Sequence, residues 1–235
     1  MKDRIELTPR LRTVADLVPQ GVCLADVGTD HAYLPAALIL EGKIPCAIAA
    51  DLRSGPLDRA RQTAAEYGLG DKVSFRLCNG LAGIAPGEPG AVAIAGMGGE
   101  TIAAILAAAP WVREKDVPLI LQPMSSMIDL RLWLEENGLR ICEERLAKEG
   151  DTIYTVLSVR AGEMDNQSPA ELWAGRNSRD PLRGEWLQLW LGKVERALAG
   201  LSKSQKEEAP QRISELERVR DGLLEMKKEW DAWQP

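Results

Sequence analysis

Short apolar runs alternate with stretches of helical length from about residue 22 to residue 160. Strands that are hydrophobic almost throughout, joined by crossovers long enough to hold a helix, are typical of a parallel sheet covered on both faces. We therefore predict a doubly wound α/β domain with helices around 33–41, 56–67, 99–109 and 127–137. Its candidate strands are VCLADV (22–27), CAIAAD (46–51), VSFRLC (73–78), AVAIAG (91–96) and LILQP (119–123).

The pattern changes after the fifth strand. Two further strand-like segments, about 139–147 and 152–160, are joined by the turn-prone residues KEGD (148–151), and a hairpin fits this spacing better than another crossover. Five parallel strands completed by a hairpin form a seven-stranded sheet with one reversed strand. That arrangement is far commoner in methyltransferases than in nicotinamide-binding domains.

From about residue 163 the composition becomes polar and the strand pattern ends. We accordingly divide the chain into an α/β domain at 1–162 and a helical domain at 163–235. Two apolar stripes with helical spacing lie on either side of the polar residues 202–210, and two antiparallel helices would bury them against each other in a coiled-coil-like unit. We expect a monomer, with a dimer through this tail as the alternative. The stripes are Leu187, Leu191, Val194, Leu198 and Leu201, then Ile213, Leu216, Val219, Leu223, Met226 and Trp230.

The charge balance limits the partners of the chain. It carries 29 Lys and Arg against 35 Asp and Glu, a formal net charge of −6. This argues against a protein that binds nucleic acid with its whole surface, so any RNA partner must meet a local basic patch. No run approaches the roughly 18 apolar residues of a membrane span, and the opening MKDRIELTPRLR lacks the apolar stretch of a signal peptide. We therefore expect a cytoplasmic protein without membrane contact.

Four cysteines, Cys23, Cys46, Cys78 and Cys142, stand in short apolar runs without any C-x-x-C pair. We predict that all four are buried, reduced thiols. The chain has one histidine besides, so the sequence predicts no metal site.

The segment ADVGTDHAYLP (25–35) follows the first strand and opens the first helix, which is where doubly wound folds hold nucleotide-like ligands. It lacks the G-x-G-x-x-G pattern of dinucleotide-binding loops, and Asp26 and Asp30 would repel a pyrophosphate. A cationic ligand suits the loop better, and S-adenosylmethionine carries a sulfonium and an ammonium but no phosphate. Gly28 would allow its close approach. The alternative is an ordinary strand-to-helix turn with capping aspartates.

Asp51 ends the second predicted strand, 23 positions after Gly28. A carboxylate about 20 residues after such a glycine meets ribose hydroxyls in nucleotide-binding domains, so Asp51 indicates a nucleoside without identifying the cofactor. The alternative role, a helix N-cap, is weaker because Ser54 could fill it. Asn79 and Gly80 follow the third strand, where they could meet an adenine amine or form a plain turn.

The fourth strand ends in AGMGGE (95–100). Its three glycines form a wall with little side-chain bulk, and close approach of a substrate explains them better than loop flexibility. Gly96, Met97, Gly98 and Gly99 are therefore the substrate-side candidates. His31 is predicted to contact a ligand or to pack, because the sequence places no nucleophile beside it. No catalytic residue is identified by the sequence.

Three of these motifs, DVGTDHAYLP (26–35), AGMGG (95–99) and LQPM (121–124), resemble those of the bacterial tRNA adenine-N1 methyltransferases that modify adenosine 22. The resemblance implies a class I, Rossmann-like methyltransferase that moves a methyl group from S-adenosyl-L-methionine to N1 of an adenosine in tRNA, with a coiled-coil-like C-terminal domain. This reaction needs no strong base, because a ring lone pair attacks the methyl group, and alignment of the reactants carries catalysis. The implied cofactor contacts are Asp26, Gly28, Thr29, Asp30, His31, Asp51, Leu52, Asn79, Gly80, Gly96, Met97 and Gly98.

The opening segment of that family is basic and lies beside the active-site mouth. TPRLR (8–12) holds the matching place here, so Arg10 and Arg12 are the candidate tRNA contacts, with a solvated helix start as the alternative. Tail tryptophans could stack on unpaired bases, but their spacing favours a role in the core of the helical hairpin. They are Trp173, Trp186, Trp190, Trp230 and Trp233.

Two other functions compete with tRNA methylation. The first is a non-catalytic nucleoside-binding module that recruits a protein partner through the helical tail, although the intact loop at 25–35 argues against such decay. The second is a small-molecule methyltransferase, which is disfavoured because the tail offers no lid over a small pocket.

Overall fold

A computed structural model describes residues 4–176, 179–203 and 208–233. In it the chain divides into two compact units, Met1–Met164 and Asp165–Pro235. The strands of the first unit are β1 (Leu24–Val27), β2 (Ala47–Asp51), β3 (Val73–Leu77), β4 (Ala91–Gly98), β5 (Leu119–Ser125), β6 (Leu139–Glu149) and β7 (Thr152–Ala161).

These strands form one seven-stranded sheet in the order β3-β2-β1-β4-β5-β7-β6. The first five run parallel, and β7 is antiparallel to both of its neighbours. The predicted sheet, five parallel strands followed by a hairpin that contributes one reversed strand, is confirmed. Each strand begins and ends within two residues of its predicted bounds.

Helices cover both faces of the sheet. Successive strand residues point to opposite faces, so Leu24 and Ala49 join one core cluster, whereas Ala25 and Ile48 join the other. Buried residues of the first three helices belong mainly to the former cluster, and those of the last three belong to the latter. The helices are α1 (Pro9–Leu17), α2 (Tyr33–Leu40), α3 (Ser54–Glu66), α4 (Gly99–Ala107), α5 (Trp111–Glu114) and α6 (Met127–Glu136).

The second unit is helical, with α7 (Pro169–Ala174), α8 (Arg183–Leu201) and α9 (Ala209–Trp233). The two long helices pair within one chain and run antiparallel, because Gly184 near the start of α8 packs against Trp230 near the end of α9. Both predicted apolar stripes are largely buried or half-buried. Of the predicted polar connection, residues 204–207 lie outside the described residues.

Sequence reasoning missed α7, although its start carries a clear signal. The Ser168 hydroxyl accepts from the Glu171 backbone N–H, and the Glu171 carboxylate accepts from the Ser168 N–H. This reciprocal capping, followed by proline in the first turn, is a strong helix start.

Tryptophans of the second unit pack against one another. The Trp190 ring meets the rings of Trp173 and Trp186 edge-on, with centroids 5.2 and 5.3 Å away. Such edge-to-face pairs are typical of packed aromatic clusters, which favours the core role for these three side chains.

The prediction of four buried, reduced thiols is wrong. Cys23 and Cys46 form a disulfide. Of the other two, Cys78 is half-buried and Cys142 is exposed. The paired cysteines each precede a strand, and the parallel register of β1 and β2 brings their Cα atoms to 4.8 Å. Strand register is a tertiary feature that the spacing of cysteines in the sequence does not reveal.

Among the described residues, no helix is long and apolar enough to cross a membrane. The same part of the chain contains no group of three or more His, Cys, Asp and Glu side chains that could hold a metal ion.

Candidate active site

Two cavities flank Gly28 at the carboxyl ends of the parallel strands. In the sheet, β1 lies between β2 and β4, so the strand order changes direction beside β1. Ligands of doubly wound folds bind at such a switch point. The cavity that we call the Asp51 cavity has a volume of about 280 Å³, and the Arg10 cavity has a volume of about 380 Å³. Side chains and backbone at the Asp51 cavity include Gly28, Asp51, Leu52, Asn79, Gly80 and Met97. The Arg10 cavity is lined by Arg10, Asp26, Gly28, Thr29, Asp30, His31, Tyr33 and Gly96, among others.

The structure brings all the predicted cofactor contacts except Gly98 to one of these two cavities. Gly98 and Gly99 line neither. A Cβ on Gly98 would stand 3.1 Å from the Ser125 hydroxyl, and one on Gly99 would collide with the Ser126 carbonyl oxygen. These two glycines therefore allow α4 to begin tightly against the end of β5.

Gly28 lies between the cavities in a conformation that other residues adopt at a cost. Its φ is +78°, and its N–H donates to the Ala50 carbonyl over 2.8 Å, which ties the loop to β2. The terminal methyl group of Met97 occupies the place that a Cβ on residue 28 would need. A side chain here would be strained by the positive φ and would displace Met97.

Asp26 is a buried carboxyl group at the floor of the Arg10 cavity. Burial raises its pKa from 3.8 to about 6, the nearby Thr29 hydroxyl opposes the rise, and Asp51 adds to it by charge repulsion. The Thr29 hydroxyl is itself buried and, among the described residues, makes no hydrogen bond of normal geometry. A desolvated carboxyl group beside an unsatisfied hydroxyl favours a polar, cationic ligand at this place.

Asp51 is half-buried where β2 ends. Its Oδ1 accepts from the Arg53 backbone N–H over 2.8 Å, which fixes the carboxylate at the wall of the Asp51 cavity. Ser54 is the first residue of α3 and Arg53 is its cap, without a side-chain hydrogen bond. Ser54 therefore does not fill the cap role that the sequence left open to it, and its presence no longer weighs against a capping role for Asp51.

Asp30 stands at the exposed rim of the Arg10 cavity. The Arg59 guanidinium donates to its Oδ1, and this hydrogen bond is the main reason why the pKa of Asp30 lies below its ordinary value. His31 Nε2 lies 3.6 Å from Asp30 Oδ2, and the His31 ring stacks on the ring of Tyr33. The loop after β1 thus presents an ionised carboxylate and two stacked rings to the same cavity.

Arg10 reaches the cavity floor from α1. Its Nη1 donates to Gln122 Oε1 over 2.7 Å, and the Gly96 backbone N–H donates to the same oxygen over 3.1 Å. Gln122 Nε2 in turn donates to the Pro123 carbonyl over 2.9 Å. The fully buried Gln122 amide therefore holds the guanidinium against the backbone of β4.

Sequence reasoning quoted Gln122 within a motif and gave it no role. A signal was present, because Gln122 is an amide inside the apolar run LILQP (119–123). Buried polar side chains are hydrogen-bonded, so such a residue must have a tertiary partner. Which partner it has depends on the fold.

Arg12 lies in a different environment from Arg10. It is half-exposed on α1, where its Nη2 donates to Glu41 Oε1 over 2.6 Å and its Nη1 donates to Glu41 Oε2 over 3.1 Å. Asp16 lies 3.6 Å from the same guanidinium. Arg10 also has an acidic neighbour, since its Nε lies 3.7 Å from Glu149 Oε2. The two arginines predicted as a pair thus differ in position: Arg10 lines the cavity, whereas Arg12 forms a closer ion pair on the surface.

Comparisons with known proteins identify the family of the chain. Residues 7–157 match the methyltransferase domain family. The tRNA (adenine(22)-N(1))-methyltransferase of Bacillus subtilis (strain 168) is 38% identical over 163 residues, which cover 69% of this chain and 68% of that one. The chain belongs to this methyltransferase family.

Solved structures of the family extend the similarity over nearly the whole chain. The crystal structure of the B. subtilis m1A22 tRNA methyltransferase TrmK superposes with a TM-score of 0.84 at 31% identity, covering 95% of this chain and 100% of that one. Streptococcus pneumoniae Sp1610, a putative tRNA (m1A22) methyltransferase in complex with S-adenosyl-L-methionine, gives 0.76 at 32% identity, covering 97% and 99%. The predicted family, the Rossmann-like fold with a helical C-terminal region and the enzyme class are confirmed.

Proposed function

We propose that this enzyme binds S-adenosyl-L-methionine across Gly28 and transfers its methyl group to N1 of adenosine 22 in tRNA. The observation that carries the proposal is the pair of cavities on either side of Gly28, whose positive φ and contact with Met97 disfavour a side chain. Family membership supplies the reaction class. The non-catalytic alternative is not favoured, because its premise of a degenerate site conflicts with an intact set of lining residues.

The residues present fit this cofactor. We assign its adenosine half to the Asp51 cavity, where Asp51 would accept from the ribose hydroxyls and Asn79 would meet the adenine edge. We assign its methionine half to the Arg10 cavity, where Asp26 and the neighbouring Thr29 hydroxyl, which makes no hydrogen bond of normal geometry within the described part of the chain, would receive the ammonium group. A cation beside Asp26 would offset the burial that now raises the pKa of its carboxyl group.

The bound cofactor supplies an electrophilic methyl group on a sulfonium. The role of the protein is to align N1 of the adenine with that methyl group and to exclude water. No proton has to leave N1, because its lone pair forms the new bond. We assign the substrate wall to the Gly96 backbone, whose N–H is already held by Gln122, so that the target base meets a fixed surface.

Both arginines of α1 remain tRNA contacts in this proposal, with different tasks. Arg10, at the cavity, would pair with a phosphate of the target nucleotide while Gln122 keeps its guanidinium oriented. Arg12 would have to give up two hydrogen bonds to Glu41, whereas Arg10 would give up only a longer ion pair with Glu149, so we expect a weaker contribution from Arg12. Since the substrate is tRNA, we expect the enzyme to act in the cytoplasm.

Methyl transfer to tRNA that lacks modifications tests the proposal. The enzyme is incubated with S-adenosyl-L-methionine, and the tRNA is then digested to nucleosides and examined by mass spectrometry. We expect 1-methyladenosine as the product with the natural enzyme. Tight cofactor binding without any methylated nucleoside would refute the substrate and leave the cofactor assignment standing.

A further inference from the structure

Two aromatic rings lie stacked at the rim of the Arg10 cavity. The rings of His31 and Tyr33 are parallel to within 4°, with centroids 5.0 Å apart. Both line the cavity. Tyr33 is 44% exposed, which is unusual for a large ring in the otherwise buried start of a helix. Its exposure at a cavity leaves a π surface available to a ligand.

The backbone between the rings is strained, and the strain sets their arrangement. Ala32 has a φ of +53° and a ψ of +28°, the left-handed conformation that non-glycine residues seldom adopt. The residue is nonetheless buried, and its carbonyl accepts from the Ala36 N–H over 3.0 Å as α2 begins. Strained residues that persist in this way cluster at functional sites, and here the strained residue directs one ring on either side of it.

We propose that the face of Tyr33, backed by His31, is the surface on which the target adenine stacks during methyl transfer. This inference rests on the proposed function and adds a substrate contact to it. Aromatic side chains recognise unpaired bases by stacking, because every base has a π face. Neither ring was assigned to the substrate by sequence reasoning, which gave His31 to the cofactor and left Tyr33 without a role.

The chemistry gives the aromatic surface a catalytic effect besides binding. The N1 lone pair forms a bond to the methyl carbon while the sulfur–carbon bond breaks and its electron pair stays on sulfur. The positive charge therefore passes from the sulfonium to the adenine ring. The negative face of a tyrosine ring attracts a cation. An interaction that strengthens as charge develops accelerates the reaction.

Two substitutions at Tyr33 distinguish the effect of its aromatic ring from the effect of its side-chain volume. Tyr33→Leu keeps an apolar side chain and removes the π face, whereas Tyr33→Phe keeps the π face and removes the hydroxyl. We expect Tyr33→Leu to slow single-turnover methylation at saturating tRNA and cofactor by about 10- to 100-fold. Tyr33→Phe should restore most of that rate. Because Tyr33 lines the cavity assigned to the methionine half of the cofactor, calorimetry measures the cofactor affinity of each variant, so that both rates are taken at saturating cofactor. Thermal unfolding shows that each variant is folded.

A fluorescent base reports the stack directly. A tRNA with 2-aminopurine at position 22 should lose fluorescence when it binds the natural enzyme or Tyr33→Phe, and should lose less with Tyr33→Leu. If the natural enzyme methylates tRNA but Tyr33→Leu is equally fast and quenches equally, the stacking role is overturned and the proposed function stands. If the natural enzyme leaves tRNA unmethylated, both are overturned.

Discussion

Arg10 and Gln122 stand 112 positions apart in the chain, and Arg10 Nη1 donates to Gln122 Oε1 over 2.7 Å. The same oxygen accepts from the Gly96 N–H, so one buried amide connects α1, β4 and β5. This connection orients a cation and a backbone segment that both face the Arg10 cavity. It is the feature of the site that depends most on the tertiary fold.

Gln122→Met should weaken both stability and methylation. The substitution conserves volume but leaves the Gly96 N–H and the Arg10 guanidinium without their acceptor, and an unsatisfied buried donor costs about 1–3 kcal/mol. We expect the free energy of unfolding to fall by about that amount, as measured by urea denaturation. In combination with Arg10→Ala the effects should be less than additive. Full additivity would show that the two side chains are not coupled.

Asp51→Asn should weaken cofactor binding by about 10- to 100-fold, because a charged acceptor for two hydroxyls is lost. Isothermal calorimetry with S-adenosyl-L-methionine measures this. Asp58→Asn, which alters an exposed carboxylate paired with Arg61, is the matched control and should bind normally. Unchanged affinity in Asp51→Asn would refute the ribose assignment.

The raised pKa of Asp26 predicts a pH-dependent stability. Its folded value is about 6 against an ordinary 3.8, so between these pH values the folded chain holds a proton that the unfolded chain has lost. The contribution of Asp26 to stability is therefore present at low pH and declines by about 3 kcal/mol as pH rises from about 3 to 7, with about 2 kcal/mol of that decline between about pH 4 and 6. Asp26→Asn should abolish this decline. Urea denaturation at several pH values, without cofactor, compares the two proteins.

The same carboxyl group couples cofactor binding to pH. If a cationic ligand lowers the pKa of Asp26, its binding releases a proton, and affinity should rise by up to about tenfold between pH 5 and 7.5. Calorimetry in buffers of different ionisation enthalpy detects the released proton. Asp26→Asn should bind more weakly at pH 7.5 and with little dependence on pH. If the cofactor affinity of the natural enzyme and that of Asp26→Asn rise equally with pH, the proton released on binding comes from another group.

Arg10→Gln should reduce tRNA affinity more than Arg12→Gln, because Arg12 is held by two hydrogen bonds to Glu41, whereas the ion pair of Arg10 with Glu149 is longer, at 3.7 Å. Loss of one phosphate contact should also reduce the slope of log affinity against log salt concentration by about 0.7–0.9. Filter binding at several salt concentrations measures both quantities, with cofactor affinity as the control for folding. If both variants bind tRNA like the natural enzyme, α1 is not part of the RNA interface.

The parallel sheet could be predicted from the sequence because its strands are buried on both faces. Leu24 and Ala25 point to opposite cores, so a strand of this kind is apolar at nearly every position. The predicted positions of Gly28 and Asp51 followed from the same regularity, because ligand-binding residues come at the carboxyl ends of such strands.

Features that depend on register or on long-range contact could not be predicted. The Cys23–Cys46 disulfide requires knowing which residues of β1 and β2 lie side by side. The partners of Arg10 depend on the approach of α1 to the sheet. Gly98 and Gly99 were read as substrate contacts because glycine permits close approach, but the neighbours that approach them are Ser125 and Ser126.

Mapping the methyl group along the tRNA shows whether the enzyme modifies adenosine 22. One tRNA transcript, and a second transcript with guanosine in place of the adenosine at position 22, are each incubated with enzyme and S-adenosyl-L-methionine. The methyl group on N1 blocks the Watson–Crick edge of the adenine, so 1-methyladenosine arrests reverse transcriptase. The position of the arrest then maps the modified nucleoside. We expect cofactor-dependent arrest at position 22 in the first transcript and none in the second. Arrest at another adenosine, or methylation of the guanosine-substituted transcript to the same extent, would contradict it.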